Sequence, residues 1–316
     1  MRDHGGNLDE ARAAWGQGDW IDLSTGINRQ PYPLPSLPPE AWTNLPAASA
    51  QAALLEAAAT AFGTAAPGLA VAGAQAAIQM IPLLETPGLA RVLAPTYNEH
   101  AACLRQAGWR VEEVGRLEAL SGADLAIVVN PNNPDGRHHR GEALRRLSVG
   151  MLVVDESFAD PAPGESLVAE ASDRLLVLRS FGKFWGLAGL RLGFVYAGGD
   201  VIRRLSALAG PWPVSGPALE VGRIALGDRD WRERTIRRLS GEAARLDRLA
   251  RGAGWTLAGG THLFRLYETP DARQAQAALA QHHVWTRRFP YSDAWLRLGL
   301  PGNEGEWQRL EAALGA

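Results

Sequence analysis

The sequence predicts an α/β protein: a large, mainly parallel sheet covered by helices on both faces, followed by a smaller α+β domain. Two observations carry this reading. Short apolar runs, among them Leu125-Ala126-Ile127-Val128-Val129 and Met151-Leu152-Val153-Val154, alternate with segments of helical periodicity. Polar residues gather just beyond the C-terminal ends of those runs, where open α/β sheets bind ligands. A length of 316 residues leaves room for one large domain or two smaller ones.

Taken in order, residues 1–40 read as an irregular arm. Pro31, Pro33, Pro35, Pro38 and Pro39 crowd its second half, and His4-Gly5-Gly6-Asn7 opens it. Residues 47–62 are alanine-rich with apolar residues at helical spacing, a helix that Gly63 ends. A strand over 69–72 runs into Gly73-Ala74-Gln75 and a helix to about residue 84. Such a junction presents backbone N–H groups at a helix N-terminus and can cradle a phosphate, although many α/β proteins carry one for packing alone.

The next strand, 91–94, leads into Pro95-Thr96-Tyr97 and a helix to 107. The strand 125–129 reads as buried on both faces and leads into Asn130-Pro131-Asn132-Asn133-Pro134-Asp135-Gly136. The strand 151–154 leads into Asp155-Glu156, and 175–178 ends at Ser180. One more strand is predicted over 191–197. Beyond it come a long helix over 228–253, a strand over 263–267 and a helix over 272–282. Strands over 284–287 and 295–298 and a terminal helix to about 314 complete the chain.

Composition narrows the function classes. A formal net charge of −2 gives no electrostatic case for nucleic acid or an anionic membrane. No run of about 18 apolar residues predicts a membrane span. The first residues lack the apolar segment of a signal peptide. Cys103 is the only cysteine, so no intrachain disulfide forms, which fits the cytoplasm. The seven histidines show no zinc-ligand spacing, so no metal is expected.

Lys183 is the only lysine; every other one of the 32 basic residues is arginine. Arginine cannot shed its proton near neutral pH. A single retained lysine therefore reads as a place where an unprotonated amine is needed, as in Schiff-base formation with an aldehyde. The plainer reading is a surface lysine left by chance. The apolar run 175–178 before it and the small residues after it argue against that.

The ordered set Tyr97, Asn133, Asp155, Ser180 with Lys183, and Arg191 resembles the fold-type I pyridoxal-phosphate enzymes, in particular the histidinol-phosphate aminotransferase branch. The resemblance covers nearly the whole chain. It implies a large seven-stranded sheet domain over 41–225, with a small α+β domain over 226–316 and the arm over 1–40 on its side. It also implies pyridoxal 5'-phosphate as cofactor, with Lys183 as its covalent amine. Asp155 would pair with the pyridine nitrogen, Asn133 with the ring hydroxyl, and Tyr97 would stack on the ring, with His100 the lesser candidate for stacking. Ser180, Arg191 and the turn with Ala74 and Gln75 would hold the phosphate. Read singly, each residue has an ordinary alternative: Asp155 an N-cap, Tyr97 core, Asn133 a turn residue.

His4-Gly5-Gly6-Asn7, with Asp22-Leu23-Ser24-Thr25-Gly26-Ile27-Asn28 and Asp155-Glu156-Ser157-Phe158, is similar to the threonine-phosphate decarboxylase group of cobalamin biosynthesis. That resemblance implies a homodimer decarboxylating a small phosphorylated amino acid, with His4, Asn28, Arg287 and Arg297 as substrate contacts. Phe158 stands where many aminotransferases of the fold carry a tyrosine. Leu45 stands near where the branch carries a tyrosine that reaches the partner's cofactor, and Asp135 replaces the usual threonine. The competing readings are a histidinol-phosphate aminotransferase and a non-catalytic binding protein of the same fold. A nucleotide-binding Rossmann protein is disfavoured, because no Gly-x-Gly-x-x-Gly follows a first strand.

Overall fold

The computed structural model describes residues 4–315; the first three residues of the predicted arm and the final residue lie outside them. The chain divides into two compact units. One comprises residues 32–133 and 138–232, the other residues 1–31, 134–137 and 233–316.

The larger unit is built on a seven-stranded sheet. Its strands are β1 (Gly68–Val71), β2 (Leu89–Leu93), β3 (Arg110–Val114), β4 (Leu125–Val129), β5 (Met151–Asp155), β6 (Leu175–Ser180) and β7 (Gly193–Tyr196). Across the sheet the order is β1-β7-β6-β5-β4-β2-β3. Only β7 runs against the others, pairing antiparallel with both β6 and β1. Every residue of β4 and β5 is buried, as continuous apolar runs in a sheet covered on both faces must be. Ile78, Leu104 and Leu205, from the covering helices, pack into one core with Val92, Ile127, Val153 and Leu176.

The helix Ala48–Phe62 ends as predicted. Gly63 takes the left-handed conformation (φ +69°), and its N–H bonds back to the carbonyl of Thr60. Several elements lie outside the predicted ones, among them the strand Thr256–Thr261 and the short helix Gly141–Arg145. β3 carries the sequence Arg-Val-Glu-Glu-Val and is mostly exposed at the sheet edge, so no apolar run marks it. The helices Gly199–Ala209 and Gly216–Gly227 also lie outside them. β7 starts at Gly193 rather than at residue 191, because Arg191 is itself left-handed (φ +54°) and cannot join a ladder.

The smaller unit holds a four-stranded antiparallel sheet in the order Arg287–Phe289, Ser292–Gly299, Phe264–Glu268, Thr256–Thr261. The predicted strand over 284–287 is two strands. Val284–Trp285 leaves this sheet and pairs in parallel with Ile21–Asp22. The reading of residues 1–40 as irregular is corrected here. Leu8–Trp15 is a helix whose N-cap, Asn7, accepts from the Glu10 N–H at 3.3 Å, and Ile21–Asp22 is a strand. Both depend on partners far along the chain. Leu8 and the fully buried Ala11 pack with Trp20, Ala280 and Trp285, so local periodicity carries little of the signal. No helix among the described residues is long and apolar enough to cross a membrane.

Candidate active site

The C-terminal ends of the parallel strands frame a cavity of about 180 Å³ in the larger unit. Eight side chains singled out by the sequence line it together: Ala74, Gln75, Tyr97, Asn133, Asp155, Ser180, Lys183 and Arg191. Phe158 and Ser157 complete one wall.

Asp155 is the last residue of β5 and 3% exposed. Its Oδ1 accepts from the Ser157 N–H at 2.9 Å and the Ser157 hydroxyl at 2.5 Å. Its Oδ2 lies 2.9 Å from His100 Nε2. Burial alone would raise the Asp155 pKa. The hydrogen bond and charge of His100, with the two bonds from Ser157, outweigh it and hold the carboxyl below its usual range. Asp155 therefore presents an ionised carboxylate to the cavity at neutral pH.

His100 is not among the lining side chains. It is buried behind Asp155 and meets the Tyr97 ring edge-on, with centroids 6.1 Å apart. Tyr97 lies in the lining, and its hydroxyl donates to Gln75 Oε1 at 3.1 Å.

Part of the lining is a backbone cradle. Gly73 adopts φ +74°, and a Cβ there would lie 2.6 Å from Arg191 Nη2. A Cβ on Gly193 would lie 2.4 Å from the Ala74 nitrogen, so β7 presses against the start of the helix Ala74–Met80. Only glycine permits both approaches. Ser180 pairs with Gly193 across β6 and β7, which brings its hydroxyl to the same part of the lining. Arg191 is anchored by an Nη1 bond of 3.1 Å to the Ala188 carbonyl.

Lys183 projects from the loop that joins β6 to β7, with Nζ 5.7 Å from the Phe158 ring centroid. Beneath it, Phe181, Trp185 and Trp231 form a stack with centroids 5.4 and 5.0 Å apart. Tyr32 meets Trp185 edge-on at 5.9 Å. This apolar floor fixes the loop.

The four residues expected to contact substrate belong to the smaller unit. His4 is exposed. Asn28 is buried, and its Oδ1 accepts from the Gln30 N–H at 3.0 Å and from Arg238 Nη2 at 2.9 Å. Arg297 is 2% exposed and donates to the Ser24 carbonyl at 2.7 Å. Arg287 stands directly opposite Arg297 in the antiparallel ladder, so both project from one face. Arg288 takes the other face and bonds Gln276 at 2.6 Å, as strand alternation requires.

A family model described as aminotransferase class I and II matches residues 20–314. The chain belongs to that family. It is 44% identical to threonine-phosphate decarboxylase of Pseudomonas aeruginosa over 99% of this chain and 97% of that one. It is 42% identical to threonine-phosphate decarboxylase of a Sinorhizobium species over 98% and 97%. In fold it is similar to histidinol-phosphate aminotransferase from Sinorhizobium meliloti, solved in complex with pyridoxal-5'-phosphate. The TM-score is 0.82 at 18% identity, covering 97% of this chain and 92% of that one.

The cavity's own donors suit such a cofactor. The first backbone N–H groups of the helix Ala74–Met80, the Ser180 hydroxyl and the Arg191 guanidinium match a phosphate dianion. An ionised Asp155 matches a protonated ring nitrogen, and an amine at Lys183 matches an aldehyde.

Sequence reading did not find the partners of Asp155. The Asp-x-Ser spacing of Asp155 and Ser157 is a turn signal that could have revealed one of them. The sequence offers His100 only as a lesser candidate for stacking; its bond to Asp155 exists only once the helix Glu99–Gln106 packs on β2 and β3.

Proposed function

We propose that this protein is a pyridoxal-phosphate-dependent decarboxylase acting on L-threonine O-3-phosphate and yielding (R)-1-amino-2-propanol O-2-phosphate for cobalamin biosynthesis in the cytoplasm. The observation that carries the reading is the gathering of Lys183, Asp155, Ser180 and Arg191 around one cavity in a chain 44% identical, over nearly full length, to a threonine-phosphate decarboxylase.

When bound, pyridoxal phosphate supplies the electron sink for the pair left behind when the substrate carboxylate departs as CO₂. Asp155 keeps a positive charge at the ring nitrogen favourable, because His100 and Ser157 keep it ionised. Arg191, Ser180 and the cradle at Ala74 and Gln75, which all line the cavity, would hold the phosphate, and Asn133 and Tyr97 would orient the ring. Lys183 would hold the cofactor's aldehyde through Nζ, and in its protonated form it would be the group placed to give a proton to the substrate carbon.

His4, Asn28, Arg287 and Arg297 are assigned to the substrate on the strength of the sequence resemblance. The facing pair Arg287 and Arg297 supports this: the two are register partners in the antiparallel ladder and project from one face. A homodimer belongs to the same reading. It is supported by an apolar groove where Leu34, Trp42, Leu45 and Trp212 stand exposed beside Gly186 and Leu187.

The test is direct. Purified protein with pyridoxal phosphate and L-threonine O-3-phosphate should release CO₂ without 2-oxoglutarate. Amino transfer to 2-oxoglutarate with no CO₂ would overturn the reading in favour of an aminotransferase.

A further inference from the structure

Arg179 lies one residue before Ser180, and Glu156 one residue after Asp155. Both are 1% exposed. Their strands β5 and β6 are parallel neighbours, with Asp155 opposite Leu178 and the Glu156 N–H bonded to the Leu178 carbonyl at 2.9 Å. Partners in register share a face and successive residues alternate. Asp155 and Ser180 therefore project from one face of the sheet, and Glu156 and Arg179 from the other. On that far face the guanidinium forks. Nη1 donates to Glu156 Oε2 at 2.9 Å, and Nη2 to Asp160 Oδ1 at 2.8 Å. Asp160 is 2% exposed. Glu156 is fixed further by the Leu167 N–H at 2.6 Å and by the Ser166 hydroxyl, while Arg179 lies 4.4 Å over the Phe62 ring.

Buried ions are costly to desolvate, and apolar side chains of similar size hold a core at least as well. Stability alone does not account for one cation and two carboxylates here. Position does. A planar fork fixes direction as well as distance. This one ties together the two strand ends whose neighbouring residues, Asp155 and Ser180, both line the cavity.

We propose that Arg179, Glu156 and Asp160 form a positioning clamp that sets the separation between Asp155 and Ser180, and with it the length of ligand held at both ends. The proposal rests on the cofactor reading above. A ligand gripped only at its ring is indifferent to that separation. A ligand gripped at ring and phosphate is not, and a misplacement of about 1 Å can cost about 100-fold.

The experiment titrates cofactor-free protein with pyridoxal phosphate and, separately, with pyridoxal, which has the same aldehyde and ring nitrogen but no phosphate. Binding is read by absorbance, in wild type, Arg179→Lys and Glu156→Gln. Lysine keeps the charge but cannot span both carboxylates; glutamine keeps the shape but not the charge. The clamp predicts that either variant loses about tenfold or more in affinity for pyridoxal phosphate and keeps its affinity for pyridoxal, so the preference between them collapses. If both affinities hold, or both fall by the same factor, the three residues are merely structural and the proposal fails. Should Arg179→Lys not fold, Glu156→Gln decides by the same ratio. A wild type without preference for pyridoxal phosphate would instead overturn the cofactor reading, an outcome visible before any substitution is made.

Discussion

Replacing His100 with leucine tests whether Asp155 is held ionised by its buried partner. The two side chains are 2% and 4% exposed, and their bond is 2.9 Å. A hydrogen bond to a buried charged group contributes about 1.5–3 kcal/mol. Leucine fills much of the volume but donates nothing, which leaves Asp155 with Ser157 alone. Taking ~2 kcal/mol, and an unfolding entropy of ~2.1 cal/mol/K per residue over 316 residues, the melting temperature at pH 7 should drop by ~3 °C. The pH dependence carries the sharper signature. The folded-state pKa of Asp155 is depressed. Its contribution is therefore fully present above the ordinary carboxylate pKa of about 4 and is lost as pH falls through the folded value. The gap between wild type and variant should be widest near neutrality and narrow as melts are repeated from about pH 5 toward pH 3. Equal melting temperatures at pH 7, or a gap of constant size down that series, would refute the assignment of His100 to the carboxylate.

Other substitutions bear on single features of the cavity. Lys183→Ala should abolish the visible absorbance band of bound pyridoxal phosphate and reduce turnover by at least ~1,000-fold, measured as CO₂ release. Gly73→Ala should strain a φ of +74° by about 1–3 kcal/mol and push Arg191 from the turn, weakening pyridoxal phosphate binding by roughly 10-fold in the same titration. Phe158→Tyr returns the hydroxyl that many aminotransferases carry. It should keep cofactor binding but raise the fraction of turnovers ending in the amine form of the cofactor, read against CO₂ released.

Sequence legibility followed how local each cause is. β4 and β5 were plain because strands buried on both faces write their burial as unbroken apolar runs. Lys183 stood out by composition alone. Tyr97, Asn133, Asp155 and Ser180 were legible because strand ends in such sheets are where ligands sit. β3 was hidden by its polar edge, and Ile21–Asp22 by a partner at the far end of the chain. The role of His100 as partner of Asp155, and that of Arg179, were hidden for a different reason. Each acts through a contact made only after helices and strands have packed, and a histidine or arginine in a string of letters does not announce what lies behind it.

The reversed strand β7 has a kinetic and entropic meaning for Lys183. Because β7 runs back against β6, the loop carrying the amine has both feet joined. Ser180 is paired with Gly193, and the Phe181 N–H bonds the Leu192 carbonyl at 3.1 Å. Closing a dozen-residue loop costs about 2 kcal/mol in chain entropy beyond a constant. Here folding has already met that cost before any ligand arrives. A parallel strand in this position would have required a long crossover, with the lysine at the start of a wandering connection. The single antiparallel strand turns a flexible tether into a short hoop and narrows the space the Lys183 amine can search.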